Sequence, residues 1–200
     1  MTGSVVIIET AATGFLVWGA NPHGAQQPHL TRLAILEVDP TTGATLSEWC
    51  KLVRPPVRVS PPALEFWGIT DADVARGIDP GEACHVLADY LSRAKRATSF
   101  SLEIHRKVCE RTVQIQAINA DWPEDRVCLM RAATNVVQKP QTQKKAGYAW
   151  PKLGEAHQFL FGAPVPRSDD MEEAGMEIAR ASARIYVELV RRGAIPPMAE

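Results

Sequence analysis

The side chain best placed to do chemistry in this sequence is Glu9. It closes the apolar run SVVIIE and is followed by TAATG, so a carboxylate stands where a buried strand gives way to a turn. α/β sheets often place their reactive groups at such carboxyl edges. A lone acid is little to build a site with, and the other candidates are weaker. Cys50, Cys84, Cys109 and Cys128 are widely spaced and form no C-x-x-C pair. That argues against zinc; with no apolar signal segment ahead of them, they read as reduced, mostly buried thiols of a cytoplasmic protein. His23 and His29 lie in a Gly/Pro loop at a spacing that suits no metal motif, and His85 and His157 read as exposed or partly buried helix positions. The basic runs RAKR (Arg93 to Arg96) and Lys144-Lys145 offer contacts to phosphate, although such runs are usually solvated faces.

The elements that must position these residues follow from periodicity. SVVIIE is a nearly continuous β-branched run, as expected of a central strand. LTRLAILEVD and ATLSEWCKLV, joined by PTTG, read as two antiparallel strands that complete a meander. The Pro-rich stretch from Arg54 to Pro80 reads as irregular and ends in Asp79-Pro80, an N-cap followed by proline at the first helical position. The helix after it turns Ala83, Val86, Leu87, Tyr90 and Leu91 to one side. KRATSFS predicts a short strand, LEIHRKVCERTVQIQA a helix with Ile104, Val108, Cys109 and Val113 inward, and DRVCLM a further strand. VVQKPQTQKKAGYAW reads as a mobile loop. Helices over PKLGEAHQFLFG and from about Met171 to Arg192 finish the chain, with GAIPPMAE as a frayed tail. Three strands followed by alternating helices and strands imply a mixed sheet with helices on its faces.

With 200 residues, 46% of them hydrophobic, the chain suffices for one domain and one core, expected over residues 1–192 with 193–200 as the tail. A net charge of −1 supplies no global attraction to phosphate backbones, so contact with nucleic acid would have to be local. No stretch approaches the ~18 consecutive apolar residues of a membrane span.

The order of motifs resembles the DnaQ-like DEDD exonucleases, the family of the polymerase proofreading subunit, from Val5 to about Leu189. The resemblance rests on TGF after the first strand, VRPPVRVSPPALEFWGIT, WPKLGEAHQFLFG and ARASARIY in the last helix. It implies an α/β ribonuclease H-like fold, a mixed five-stranded sheet flanked by helices. It also implies 3′–5′ exonuclease chemistry, in which four carboxylates hold two Mg²⁺ or Mn²⁺ ions about 4 Å apart and a histidine acts as general base. Residue by residue, the expected machinery is absent. Glu9 stands for the first aspartate and Ala11 for the glutamate of Asp-x-Glu-x-Thr-Gly. Ser101, Ile104 and His105 stand for Asn, Phe and the metal-binding Asp of the second motif. Glu173 and Ile178 stand for the His and Asp of the third.

The resemblance therefore implies a degenerate exonuclease-like domain, with lost or strongly reduced two-metal hydrolysis and a groove for single-stranded nucleic acid, a nucleotide or a protein partner. Glu9, His105 and Glu173 mark the vestigial catalytic positions, and Glu9 is the best candidate for any metal contact. Ile178 is expected on the inward stripe of the last helix with Ala181, Ser182, Ile185 and Leu189. Thr13, Gly14, Phe15 and Trp67 are the candidate nucleic-acid contacts; Phe15 stands where the family wedges an apolar side chain against the terminal base. No cofactor is expected, unless the protein is active, in which case Mg²⁺ or Mn²⁺ is required. Two alternatives stay open: an active, atypical exonuclease using Glu9, His105, Glu173 and a displaced acid, and a purely structural partner-binding scaffold.

Overall fold

A computed structural model describes residues 3–141 and 146–198. Strands β1 (Ser4–Ala12), β2 (Leu30–Val38) and β3 (Thr45–Leu52) form the expected antiparallel meander, and β4 (Ala94–Ser99) and β5 (Asp125–Cys128) extend it in parallel on the other side of β1. The sheet order is β3-β2-β1-β4-β5, so the strand that carries the candidate acid is central, and it runs on past Glu9 to Ala12 instead of closing at the acid. Every residue of β1 is buried. Val5 and Ile7 face a core with Leu36, Tyr186 and Leu189, while Val6 and Ile8 face another with Leu33, Leu87 and Val108. Burial on both faces explains why β1 reads as a continuous apolar run rather than an alternating one.

The first of these faces is covered by α5 (Leu129–Val137), α6 (Leu153–Phe161) and α7 (Met171–Arg191), the second by α3 (Pro80–Arg93) and α4 (Leu102–Ile115). α3 begins as its sequence directs, with Asp79 accepting a hydrogen bond from the Gly81 N–H. α7 begins likewise, with Asp170 accepting from the Glu173 N–H at 2.8 Å.

Several expectations need correction. The Pro-rich stretch holds two short helices, α1 (Pro61–Trp67) and α2 (Asp71–Ala75). Prolines suit the first turn of α1, Gly68 ends it in the left-handed region at φ 72°, and a Thr70–Asp73 capping box starts α2. The apolar run DRVCLM is strand only to Cys128; Leu129 and Met130 open α5, and the Met130 N–H donates to the Phe100 carbonyl at 2.9 Å. Ile104 is exposed. Ile178 is only half-buried and joins neither core cluster, whereas Ala181, Ser182, Ile185 and Leu189 are buried. His157 is buried, its Nδ1 2.8 Å from the Ala163 carbonyl and its ring against Phe161.

Arg96, one of the RAKR cations, is also buried and points inward. Its Nε donates to Asp125 at 2.8 Å, and its Nη1 to the Tyr186 hydroxyl at 3.1 Å and the Pro196 carbonyl at 2.9 Å. Lys144 and Lys145 lie outside the described residues. Residues 193–198 are packed rather than frayed: Ile195 is buried in the α7 core with Met198 against it. No helix among the described residues is long and apolar enough to cross a membrane.

Ile195→Ala is expected to destabilise the protein by about 2 to 5 kcal/mol, the range for emptying a buried aliphatic site. Urea unfolding measures it; a change within about 0.5 kcal/mol would show that the segment contributes nothing to the fold.

Candidate functional site

β1 and β4 pair only from Ser4 to Ile7. Beyond that point the strands separate, and the ends of the chain segments around the gap converge on Glu9. The Phe100 N–H, released from the ladder, donates to Glu9 Oε1 at 2.8 Å. The Ser182 hydroxyl, from the middle of α7, donates to the same oxygen at 2.7 Å. His105 Nε2, from the first turns of α4, lies 2.9 Å from Oε2. Glu9 is 5% exposed.

The orientation of His105 is set from its other side. Its Nδ1 accepts from the Thr10 N–H at 2.9 Å and lies 2.9 Å from the Thr10 hydroxyl. An N–H can only donate, so Nδ1 carries the lone pair and Nε2 the proton, which is therefore directed at Glu9. In the family that the sequence resembles, both positions are acids of the metal-binding set. Here an acid and an imidazole meet directly through a proton.

The remaining expected positions offer no ligand. Ala11 is 0% exposed and sealed in an apolar cluster with Leu52, Ile69 and Val74, against which Trp67 and Met171 pack. Ile178 carries no donor atom. Glu173 is not brought to Glu9 and His105: its carboxylate is half-exposed and bound by Arg180 Nη1 at 2.5 Å. The neighbouring acids are engaged as well. Glu172 takes the Leu52 N–H at 3.1 Å and Lys51 at 2.8 Å, and Glu177 joins Arg180 at 2.7 Å. Glu103 is held by Arg106 at 3.3 Å and Lys107 at 3.4 Å. Among the described residues, no three His, Cys, Asp or Glu side chains converge as a metal site requires. Hard divalent ions need several oxygen ligands, and this donor set does not fit a pair of them.

A group that sequence reasoning missed lies beside this buried network. Arg32 of β2 lies directly opposite Ala11 and is 4% exposed. Its Nη1 donates to the Met171 carbonyl at 2.8 Å. Burial lowers its pKa, and the nearby Cys50 and Glu9 oppose that fall. Burial also pushes the Cys50 thiol up to about 12, so it is no nucleophile.

The residues expected to meet nucleic acid divide into two sets. Thr13 is buried and occupied: its N–H donates to the His29 carbonyl, its hydroxyl accepts from the His29 N–H, and its carbonyl accepts from Ser60 N–H. It fastens the turn to the N-terminus of α1. A Cβ on Gly14 would make only ordinary contacts, at 3.6 Å from Ser60 Oγ, so packing does not demand glycine there. Phe15, in contrast, is 51% exposed, and its ring centroid lies 5.3 Å from that of Trp67. Phe66, which the sequence did not single out, joins both at 5.6 and 5.0 Å and is 69% exposed. Trp67 is the anchor, reaching down to the cluster that seals Ala11. Its adjacency to Phe66 in LEFWG was the available signal.

No family model matches the chain. No curated protein matches it in sequence. Solved structures do match. The nuclease domain of a DEDDh-family 3′-exonuclease bound to rAMP superposes with a TM-score of 0.68 and 15% identity, over 96% of this chain and 94% of that one. Exonuclease X in complex with 5′ overhanging duplex DNA gives 0.62 and 17%, over 96% and 95%. E. coli Exonuclease I in complex with a dA16 oligonucleotide gives 0.71 and 12%, and there the match covers 95% of this chain but only 41% of the larger enzyme. The chain has the DnaQ-like exonuclease fold, a ribonuclease H-like mixed five-stranded sheet flanked by helices. It is a nuclease-like domain in architecture.

Removing one donor from Glu9 should be felt in stability. Ser182→Ala and His105→Ala are each expected to destabilise by about 1 to 3 kcal/mol, since each deprives a buried carboxylate of a partner. Glu173→Ala is expected to change stability by less than about 0.5 kcal/mol, because its ion pair is at the surface. Chemical denaturation of the three variants checks this. A Glu173 effect as large as that of His105 would place Glu173 in the buried network after all.

Proposed function

We propose that this chain is a catalytically silent domain of the DnaQ-like exonuclease fold, which binds the end of a single-stranded nucleic acid, or a nucleotide, without hydrolysing it. The observation that carries this reading is the saturation of Glu9: an imidazole, a hydroxyl and a backbone N–H use the carboxylate that a two-metal nuclease would keep for its ions. Hydrolysis by that route needs one ion to activate water and another to stabilise the leaving oxygen. The residues present would hold neither.

Binding is supported by the aromatic surface beside the cleft. Phe15 and Phe66 expose much of their rings with no internal packing reason to do so, and exposed aromatic rings in contact suit stacking against bases. Structural neighbours were solved with rAMP and with dA16. With no net positive charge, affinity in this chain would rest on stacking more than on phosphate contacts.

Incubating end-labelled single-stranded DNA and RNA with the protein and Mg²⁺ or Mn²⁺ is expected to leave both intact. Shortening from the 3′ end that requires metal and disappears in Glu9→Ala would overturn the proposal. In a fluorescence-anisotropy titration with short labelled oligonucleotides, Phe15→Ala and Phe66→Ala are each expected to weaken binding by about 1 to 3 kcal/mol, roughly 5- to 150-fold. Unchanged affinity in both variants would point to the scaffold reading instead.

A further inference from the structure

The buried network around Glu9 has a cation beside it. Because Arg32 stands across the ladder from Ala11, its side chain leaves the sheet on the face shared by Ala11 and, two residues along, Glu9. From there the stem runs under the first turns of α7. The approach is so close that a Cβ on Gly175 would fall 2.8 Å from Arg32 Cδ, 2.7 Å from its Nε and 2.8 Å from Cys50 Sγ. Gly175 thus leaves the room that the guanidinium fills. A buried guanidinium requires compensation. The Met171 carbonyl supplies a hydrogen bond; among the described residues no carboxylate lies within ion-pair distance, and Glu9, diagonal to Arg32 on the same face of the sheet, supplies negative charge at longer range.

We propose that Arg32 is a built-in counter-ion that balances Glu9 in place of a divalent metal, so that metal is excluded by a resident positive charge as well as by missing acids. This rests on the reading of the cleft as catalytically silent. It goes beyond that reading in assigning the cleft a fixed cation and in making its charge balance independent of metal.

Two measurements test it. The first compares Mn²⁺ binding, by titration calorimetry and by the electron paramagnetic resonance of bound Mn²⁺, in the variant Ala11→Glu, His105→Asp, Ile178→Asp and in the same variant with Arg32→Met. At least tenfold tighter binding is expected once Arg32 is removed, and equal binding would overturn the proposal. The second needs no restored acids and decides alone if those variants fail to fold. In a thermal-unfolding cycle, Arg32→Met is expected to lower Tm at least twice as much in the native background as in Glu9→Gln, where the carboxylate charge is gone. Equal losses in the two backgrounds would show that Arg32 does not balance Glu9. Metal-dependent digestion of DNA or RNA by the unaltered protein would instead defeat the catalytically silent reading, an outcome separable from the result of the cycle.

Discussion

The contact between Glu9 and His105 is the constraint around which the rest of the cleft is arranged. A carboxylate this deeply buried must be satisfied, and three elements supply the donors: α4 through His105, α7 through Ser182 and the end of β4 through Phe100. Thr10 then orients the imidazole from behind, which leaves its proton aimed at the acid. In a two-metal nuclease, clustered acids repel one another until ions bring them together. Here the same elements are joined by hydrogen bonds that need no ion, and Arg32 adds positive charge from the neighbouring strand.

Burial sets which positions keep an exposed face. Ala11 and Thr13 lie under the surface, committed to packing and to the turn. Phe15 and Phe66, only a few residues away along their segments, are displayed on top of Trp67. The Thr13 hydrogen bonds to His29 and Ser60 link these two layers, because they fix the turn after β1 against the start of the helix that carries Phe66 and Trp67. The buried positions below and the exposed rings above are thus parts of one local packing arrangement.

The sheet was legible because each strand of the meander carries its own pattern, and β1 declares its two-sided burial through an unbroken apolar run. α7 was legible from its periodicity, yet Ile178 shows the limit of that signal: position on a stripe does not tell how near its edge a residue lies. His105 drew attention only through family resemblance, and the register that puts it beside Thr10 and Glu9 depends on where β4 leaves the ladder. Arg32 was missed for a related reason. Its importance comes from facing Ala11 across two strands and from the space over Gly175, neither of which is a local property of LTRLAILEVD. The terminal place of GAIPPMAE suggested fraying, but the Pro196 carbonyl is held by Arg96, a residue 100 positions earlier.

The sealing of Ala11 shapes which sequences are reachable from this one. A carboxylate introduced at that position would have to fit among Leu52, Ile69 and Val74 in a space packed around a methyl group, and forcing extra atoms into a close-packed core is unfavourable. An aspartate at position 105 would set two carboxylates against each other, and loss of Arg32 alone would leave Glu9 without its neighbouring positive charge. Each intermediate on a route toward ion-dependent chemistry is therefore less fit to fold than its parent, so the present arrangement sits in a basin that single substitutions do not easily leave.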